Sequence, residues 1–456
     1  MKFNNFKMLF CLILGIVIGI GSFYIITNKG ILKTEKNIFD EVKGVNKPRL
    51  IPGMTPIKWD ENNNEIETTE NDFEWYDYNQ KKWANVKTAD GSYWVWIPRY
   101  AYKIISCFHK SAEECEQETG KQAGTIDVKF LKGTTNQTTD GTVIETNGYE
   151  YGVKDTSMHY FKHPTFTFGE NEIEGFWVAK FEASVSNHNS ACYRTRTPEN
   201  CDNTNLSPKI TPNVKSWTGI TLGNAFKVSL DMKNNPDYGW KSSDLDSHLM
   251  KNVEWGAVTY LTQSKYGKNN EVWVNPNENF ITGCAGNTVS SKKITNCDNH
   301  YKTNNGMQTS TTGNITGIYG MSGGSTEYVA AYIDNGEEVR EYPATLVIEA
   351  ASKYKDIYKY SYLYKNSQMY ELNKNMYGDA LYETSSKGNS DNGPGGWYND
   401  LTYMIKDGYP WLERGAPYGN NKTAGLFYFV GSPTNNETPF GIKTSPTFRP
   451  VLINAN

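Results

Sequence analysis

The chain has 456 residues, room for one large domain or two to three average ones, and its 14% aromatic content, with 31 Tyr and 12 Trp, argues against wholesale disorder. A net charge of −4 with 21% charged residues lacks the basic balance that nucleic-acid binding calls for. Forty glycines, with many Asn and Thr, favour turns and short strands over long helices.

Residues 1–7 carry Lys2 and Lys7, and the following stretch from Met8 to Thr27 (MLFCLILGIVIGIGSFYIIT) is free of charge. About twenty such residues suffice to cross a bilayer as a helix. The flank SFYIITNKG offers no small-residue cleavage site, so the stretch reads as an uncleaved signal anchor over 8–27. The type IV prepilin pattern is missing. Lys29, Lys33 and Lys36 lie beyond the stretch, so the positive-inside count does not orient it.

Cysteine spacing speaks to orientation. Cys11 falls within the apolar stretch, and the other six form close pairs: Cys107 with Cys115, Cys192 with Cys201, Cys284 with Cys297. Each pair brackets a polar insert that reads as a loop, and three nearest-neighbour disulfides follow. Disulfides rarely persist in the cytosol. The competing readings are six free thiols in a cytosolic domain, or zinc. Zinc is disfavoured because no C-x₂-C spacing and no companion His pair occurs. The expected organisation is a cytoplasmic segment 1–7, the anchor, a charged tether over 28–50, and an extracytoplasmic body over 51–456.

Within the body, PGMTPIKWD (Pro52–Asp60) opens the folded part and ENNNEIETTEND follows as a loop. GSYWVWIPRYAYKI (Gly91–Ile104) is rich in aromatic and β-branched residues, a strand interrupted by Pro98. TIDVKF (Thr125–Phe130) predicts a second strand and GFWVAKFEAS (Gly175–Ser184) a third. In the third, Phe176, Val178 and Lys180 share one face and Trp177, Ala179 and Phe181 the other. Thr218–Met232 predicts a helix with Leu222, Phe226 and Leu230 on one side. Asn252–Gly267 predicts another, with Asn252 as N-cap, Glu254 in the first turn and Gly267 as a left-handed terminator. Its buried stripe is Val253, Ala257, Tyr260, Leu261 and Ser264. Lys353–Tyr370 reads as helical, and Gly378–Ile453 as short strands with glycine turns.

GMSGG (Gly320–Gly324) matches G-x-S-x-G, the nucleophile elbow of serine hydrolases. In that fold the histidine base follows the serine. All six histidines here precede Ser322, and a serine without its base is a weak nucleophile. The glycines need another account.

Four segments together resemble one family, that of formylglycine-generating-enzyme-like domains. GFWVAKFEAS is similar to their "yisKYEVT" strand, and KNVEWGAVTYLTQSKYG to their "VNVSWEDAVAYCEWLSKKTG" helix. GIYGMSGGSTEYVA is similar to "NVYDMSGNVWEW", and LERGAPYGNNKTAGLFYF with TFRPVL to the closing "RGGSW…GFR". The order also matches, from about Gly91 to Leu452. The resemblance implies an α+β, C-type-lectin-like fold of loop-rich antiparallel sheets with two helices. Under it, Gly320, Gly323 and Gly324 form a tight turn. Glu327 stands where the family has its Glu-Trp, as a buried partner for Arg414 or Arg449.

The resembling oxidases bind copper through two cysteines in the RGGSW region. Glu413–Ser432 has neither, so the copper chemistry reads as lost. Related iron enzymes use a histidine-rich site. The only close pair here is His159 and His163, and Pro164 with TFTF argues for extended structure and a loop role. His248 and His300 read as solvated histidines, and the pairs Asp244/Asp246 and Glu337/Glu338 as solvated charges or a calcium loop. No other cofactor or metal is expected.

The expected function is binding or adhesion, without catalysis, at the cell membrane, through an unknown extracellular glycan or protein ligand. Rigid scaffolds hold variable polar and aromatic loops well, and Tyr and Trp beside Asn give contact area at low entropic cost. The expected ligand face is Trp397, Tyr398, Trp411, Tyr418, Asn420 and Asn421, with Trp397 and Trp411 equally readable as core residues. Two alternatives stand beside it: an oxidoreductase with a divergent metal site, and a pilin-like or phage-like surface subunit.

Overall fold

The computed structural model describes residues 26–27, 30–31, 44–144, 154–186, 192, 201–240, 245–335, 344–361, 366–386, 393–406, 408–433 and 446–454. The chain forms two units, Met1–Gly44 and Val45–Asn456. In the first, Ile26–Thr27 pairs with Gly30–Ile31. The expected anchor over residues 8–27 lies outside the described residues apart from Ile26–Thr27, and among the described residues no helix is long and apolar enough to cross a membrane.

The second unit is mixed α+β. One sheet has seven strands, in the order Leu245–Leu249, Pro450–Asn454, Gly175–Ala179, Tyr93–Pro98, Asn85–Lys87, Thr55–Trp59 and Glu65–Glu67, antiparallel throughout. The expected faces of the third strand exist, but both are buried. That strand lies inside the sheet and is covered on each side. A second sheet runs Asp356–Tyr358, Glu327–Ile333, Trp411–Arg414, Phe429–Ser432, Leu401–Tyr403, Gly393–Pro394 and mixes parallel with antiparallel pairing. Thr447–Phe448 runs parallel to Glu327–Ile333. A third, antiparallel sheet joins Ile126–Phe130, Tyr100–Ile104 and Phe161–Lys162.

Pro98 acts as foreseen, dividing one apolar stretch between two sheets. Proline cannot donate to a ladder, so the chain turns there. Arg99 fills the corner, fully buried, and donates to the carbonyls of Thr135 (3.1 Å) and Phe166 (3.0 Å).

The Thr218–Met232 expectation becomes a helix over Leu222–Asp231 behind Thr221. The second helix, Asn252–Gln263, differs from expectation in three ways. Its N-cap is Lys251, and Asn252 is its first helical residue. All twelve residues are buried, so there is no single buried stripe. It ends at Ser264 in extended conformation, well before Gly267, whose absent Cβ makes room for the carbonyl of Leu261 at 2.4 Å. Packing on every side overrides the amphipathic pattern.

Two further corrections concern loops. The Cys107–Cys115 insert contains the start of a helix, Ala112–Thr119, with a capping box between Ser111 and Glu114. Lys353–Tyr370 is not one helix: it holds a 3₁₀ turn at Ser352–Tyr354, the strand Asp356–Tyr358 and the start of the Asn366–Asn373 helix.

All three expected disulfides are present, with Cα–Cα distances of 5.2, 5.2 and 5.6 Å for Cys107–Cys115, Cys192–Cys201 and Cys284–Cys297. Tryptophan supplies much of the core: Trp83, Trp94, Trp96, Trp177, Trp217, Trp255, Trp397 and Trp411 are all below 2% exposed.

Candidate functional site

The GMSGG turn leads into the Glu327–Ile333 strand. Gly320, Gly323 and Gly324 have φ of +80°, +83° and +73°, the left-handed region that glycine enters without cost. A Cβ on Gly323 would lie 2.5 Å from the carbonyl oxygen of Asn275. Ser322 is fully buried and its hydroxyl finds no partner.

Beyond the turn, Glu327 and Arg449 form a fork-to-fork pair. Arg449 Nε donates to Oε2 at 3.0 Å and Nη2 to Oε1 at 2.6 Å. The remaining donors reach the carbonyls of Ala179 (2.7 Å) and Tyr319 (2.9 Å). Arg449 is therefore the partner of Glu327, and Arg414 serves elsewhere. Its guanidinium donates to Asn252 Oδ1 (3.1 Å), Ala380 O (3.1 Å) and Leu426 O (2.9 Å). Burial pushes the Glu327 carboxyl up while Arg449 pulls it down, and burial also raises neighbouring Glu182. These groups are enclosed and tie elements together.

The expected ligand face divides. Trp397 is core: its indole donates to Cys107 O at 3.2 Å and packs 5.1 Å from Phe427. Trp411 is core too, 4.9 Å from Tyr332. Large aromatic rings gain more from burial than a loop can offer. Tyr398 is half-buried, with φ of +60°, and its hydroxyl meets Gln263. Tyr418, Asn420 and Asn421 come together in one half-exposed 3₁₀ turn, Tyr418–Thr423. Tyr418 packs on Phe280 at 5.5 Å, with the Lys293 ammonium 5.7 Å above its ring. Beside Phe280, an open cleft of about 450 Å³ is lined by Asn213, Asn279, Asn296 and His300.

Other expectations change. His163 is buried among Tyr100, Tyr102 and Tyr260, and burial pushes it down to about 3. His159 is exposed. His248 is no solvated histidine: it lies buried in a strand, stacks on Phe168, and meets Glu254 Oε1 at 2.8 Å. Asp246 is likewise buried and paired, with Lys233 (2.9 Å), Lys353 (2.7 Å) and the Tyr354 hydroxyl. Asp244, Glu337 and Glu338 lie outside the described residues. Among the described residues no cluster of His, Cys, Asp or Glu is arranged to hold a metal ion.

A second cleft was not foreseen. It has a volume of about 410 Å³ and is lined by Lys154, Lys251, Lys353, Lys355, Asp356 and Tyr377. Pro164, Val253 and Met376 give it an apolar wall. Lys154 and the Pro164–Gly169 segment form part of its lining, and three further segments complete it. The Asn252–Gln263 helix presents its N-terminus, where Val253 N–H donates to Asp356 Oδ2 at 2.9 Å. The 3₁₀ turn Ser352–Tyr354 and the strand after it supply Lys353, Lys355 and Asp356. The segment following the Asn366–Asn373 helix supplies Met376 and Tyr377.

Electrostatics in the cleft are unbalanced. Asp356 keeps some exposed surface, but enclosure of its carboxyl pushes it up to about 6, against the pull of Lys251. Burial lowers Lys154 and Lys355. For Lys353 burial acts the same way, yet its bonds to Asp246 and Tyr354 hold the ammonium above its ordinary value. Lys154 sits 4.2 Å above the Tyr377 ring and donates to its hydroxyl at 2.5 Å. The sequence carried no periodic signal for this cleft: Lys353 lies in the 3₁₀ turn and Lys355 just after it, ahead of the strand Asp356–Tyr358. No family model matches the chain, and no curated protein matches it.

Proposed function

We propose that the chain is a membrane-anchored surface protein whose disulfide-stapled α+β domain is a ligand-binding module, with the cleft between Lys154, Lys251, Lys355 and Tyr377 as its docking site. In this reading the domain is of the formylglycine-generating-enzyme-like, C-type-lectin-like class and acts by binding. The observation that carries the proposal is the cleft itself. Ligand pockets are concave, part apolar, and furnished with a few converging polar groups at about 300–1,000 Å³. This one has about 410 Å³, an apolar wall and a cationic rim.

The class assignment draws support from how the four resembling segments meet. The GFWVAKFEAS strand pairs with the strand that continues TFRPVL, with Trp177 opposite Leu452. Arg449 of TFRPVL clasps Glu327 of GIYGMSGGSTEYVA. Arg414 of LERGAPYGNN reaches Asn252 at the head of the NVEWGAVTYLTQ helix. Segments alike in order alone need not interlock this way.

The test is a screen of the oxidised chain, in mild detergent, against glycans and surface proteins. A specific hit lost on Lys154→Glu with Lys355→Glu establishes the module and its face. Absence of any hit, together with stoichiometric copper or iron in the preparation, overturns the binding reading in favour of redox chemistry.

A further inference from the structure

We infer that the cleft recognises an oxyanion: its ligand is an acidic saccharide, bearing a sulfate, phosphate or carboxylate group that sits among the lysine ammoniums while its ring lies against Tyr377. The inference rests on the binding reading above and specifies its ligand.

Four ammonium-bearing side chains line one cavity, against one carboxylate, Asp356. That carboxylate is already engaged by the Val253 N–H at 2.9 Å and so is held at the helix end. It offsets one of the four ammoniums and leaves the rest in excess. Lys353 is tied to Asp246 at 2.7 Å, so its charge is partly answered from below. Lys251 pairs with Glu254 only at 3.7 Å, beyond hydrogen-bond reach, so its charge is answered more weakly. Lys355 is anchored to carbonyls at the end of the Thr345–Glu349 helix, Val347 (3.2 Å) and Ile348. Carbonyls orient an ammonium without neutralising it.

Enclosed like charges repel one another and lose hydration, and both effects disfavour the charged form of a lysine. A bound oxyanion reverses both at once. It supplies opposite charge in a partly dehydrated space, where such contacts are stronger than on an open surface. The N-terminus of the Asn252–Gln263 helix adds a positive dipole end on the same side.

The other wall decides what carries the anion. A free inorganic ion would gain nothing from Pro164, Val253, Met376 and the Tyr377 ring. Lys154 lies over one face of that ring. A sugar has an apolar C–H face that suits an aromatic ring edge or face, and hydroxyls that suit Asn375, Ser352 and Thr167, which also line the cleft. About 410 Å³ accommodates one or two sugar rings.

The experiment is isothermal titration of the full chain with four probes: a sulfated disaccharide from heparin, sialic acid, inorganic sulfate and the neutral disaccharide cellobiose. Each is measured at about 20 mM and about 150 mM salt. The expected result is that one of the two acidic saccharides binds at least about tenfold more tightly than both cellobiose and sulfate, and more weakly at the higher salt. Lys154→Gln and Lys355→Gln should each weaken it about fivefold or more, while Lys121→Gln, remote from the cleft, leaves it unchanged. Melting temperatures of the variants separate lost binding from lost folding. Equal binding of cellobiose, wild-type affinity in both cleft variants, or no binding of either acidic saccharide overturns the inference. Sulfate binding as tightly as the saccharides overturns its saccharide part. If these probes fail while the broader screen yields a ligand at the Tyr418 turn, the binding module survives and the cleft assignment falls.

Discussion

Arg449→Met is the sharpest probe of how the domain holds together. The substitution keeps most of the side-chain volume and deletes the guanidinium. It removes two bonds to Glu327, at 3.0 and 2.6 Å, and one each to the carbonyls of Ala179 and Tyr319. Glu327 would then be a carboxylate enclosed without a partner, since both side chains are at most 1% exposed. Breaking a buried pair from one side costs about 3–5 kcal/mol, most of it the stranded charge. Replacing both members with methionine removes that charge, so Glu327→Met/Arg449→Met should be less destabilised than Arg449→Met alone. The deficit of the single variant should also depend on pH. Without Arg449, the Glu327 carboxyl titrates still higher in the folded state than its unfolded value of about 4.5. Stability then falls as pH rises between those two values, and the variant should suffer more at pH 8 than at pH 5. Urea unfolding followed by tryptophan fluorescence reports this, because eight tryptophans leave the core together. A single variant within about 1 kcal/mol of wild type, or a double variant worse than the single, refutes the reasoning.

Four further outcomes are expected. Trp411→Ala should cost about 3–5 kcal/mol in stability and leave cleft affinity unchanged where the protein still folds, checked by denaturation and titration together. Gly323→Ala should lower the melting temperature through both its left-handed φ and the 2.5 Å approach to Asn275, whereas Ser322→Ala, which removes an unpartnered hydroxyl, should not. Burial pushes Glu413 and Glu383 up to about 7, so each favours the folded state less as pH rises from about 4.5 to about 7. Glu413→Gln should therefore flatten the stability profile across that window, and an unchanged slope in pH-dependent melts would contradict this. Reducing the disulfides, which close loops with sequence separations of 8, 9 and 13, should cost about 3 kcal/mol each on loop-entropy grounds, seen as a fall in urea midpoint with dithiothreitol.

Local chemistry was readable where it acts locally. Pro98 marked its strand break, paired cysteines marked their bridges, and the glycines of GMSGG marked a turn. The Ser111-to-Glu114 capping box was equally readable, but the flanking cysteines drew attention to a loop. Periodicity failed where burial is complete: Asn252–Gln263 is covered on all sides, so no stripe could orient it. The tryptophans read two ways for a related reason. Trp397 and Trp411 stand among Gly, Asn and Pro, the usual company of exposed loops, yet each fills a hole in the core. The cleft escaped notice because its lysines come from positions 154, 251, 353 and 355, which only tertiary structure gathers.

The strand Pro450–Asn454 sits between Leu245–Leu249 and Gly175–Ala179, inside the larger sheet. Trp177 and Leu452 are opposite one another there, though more than half the sequence separates them. Until residues near 450 are synthesised, the Gly175–Ala179 strand has an open edge and the Glu327 carboxylate has no guanidinium. Such long-range pairing folds late. The larger sheet therefore cannot close around Gly175–Ala179 until the residues near 450 have been made. That delay exposes an unpaired strand to any aggregation partner met on the way.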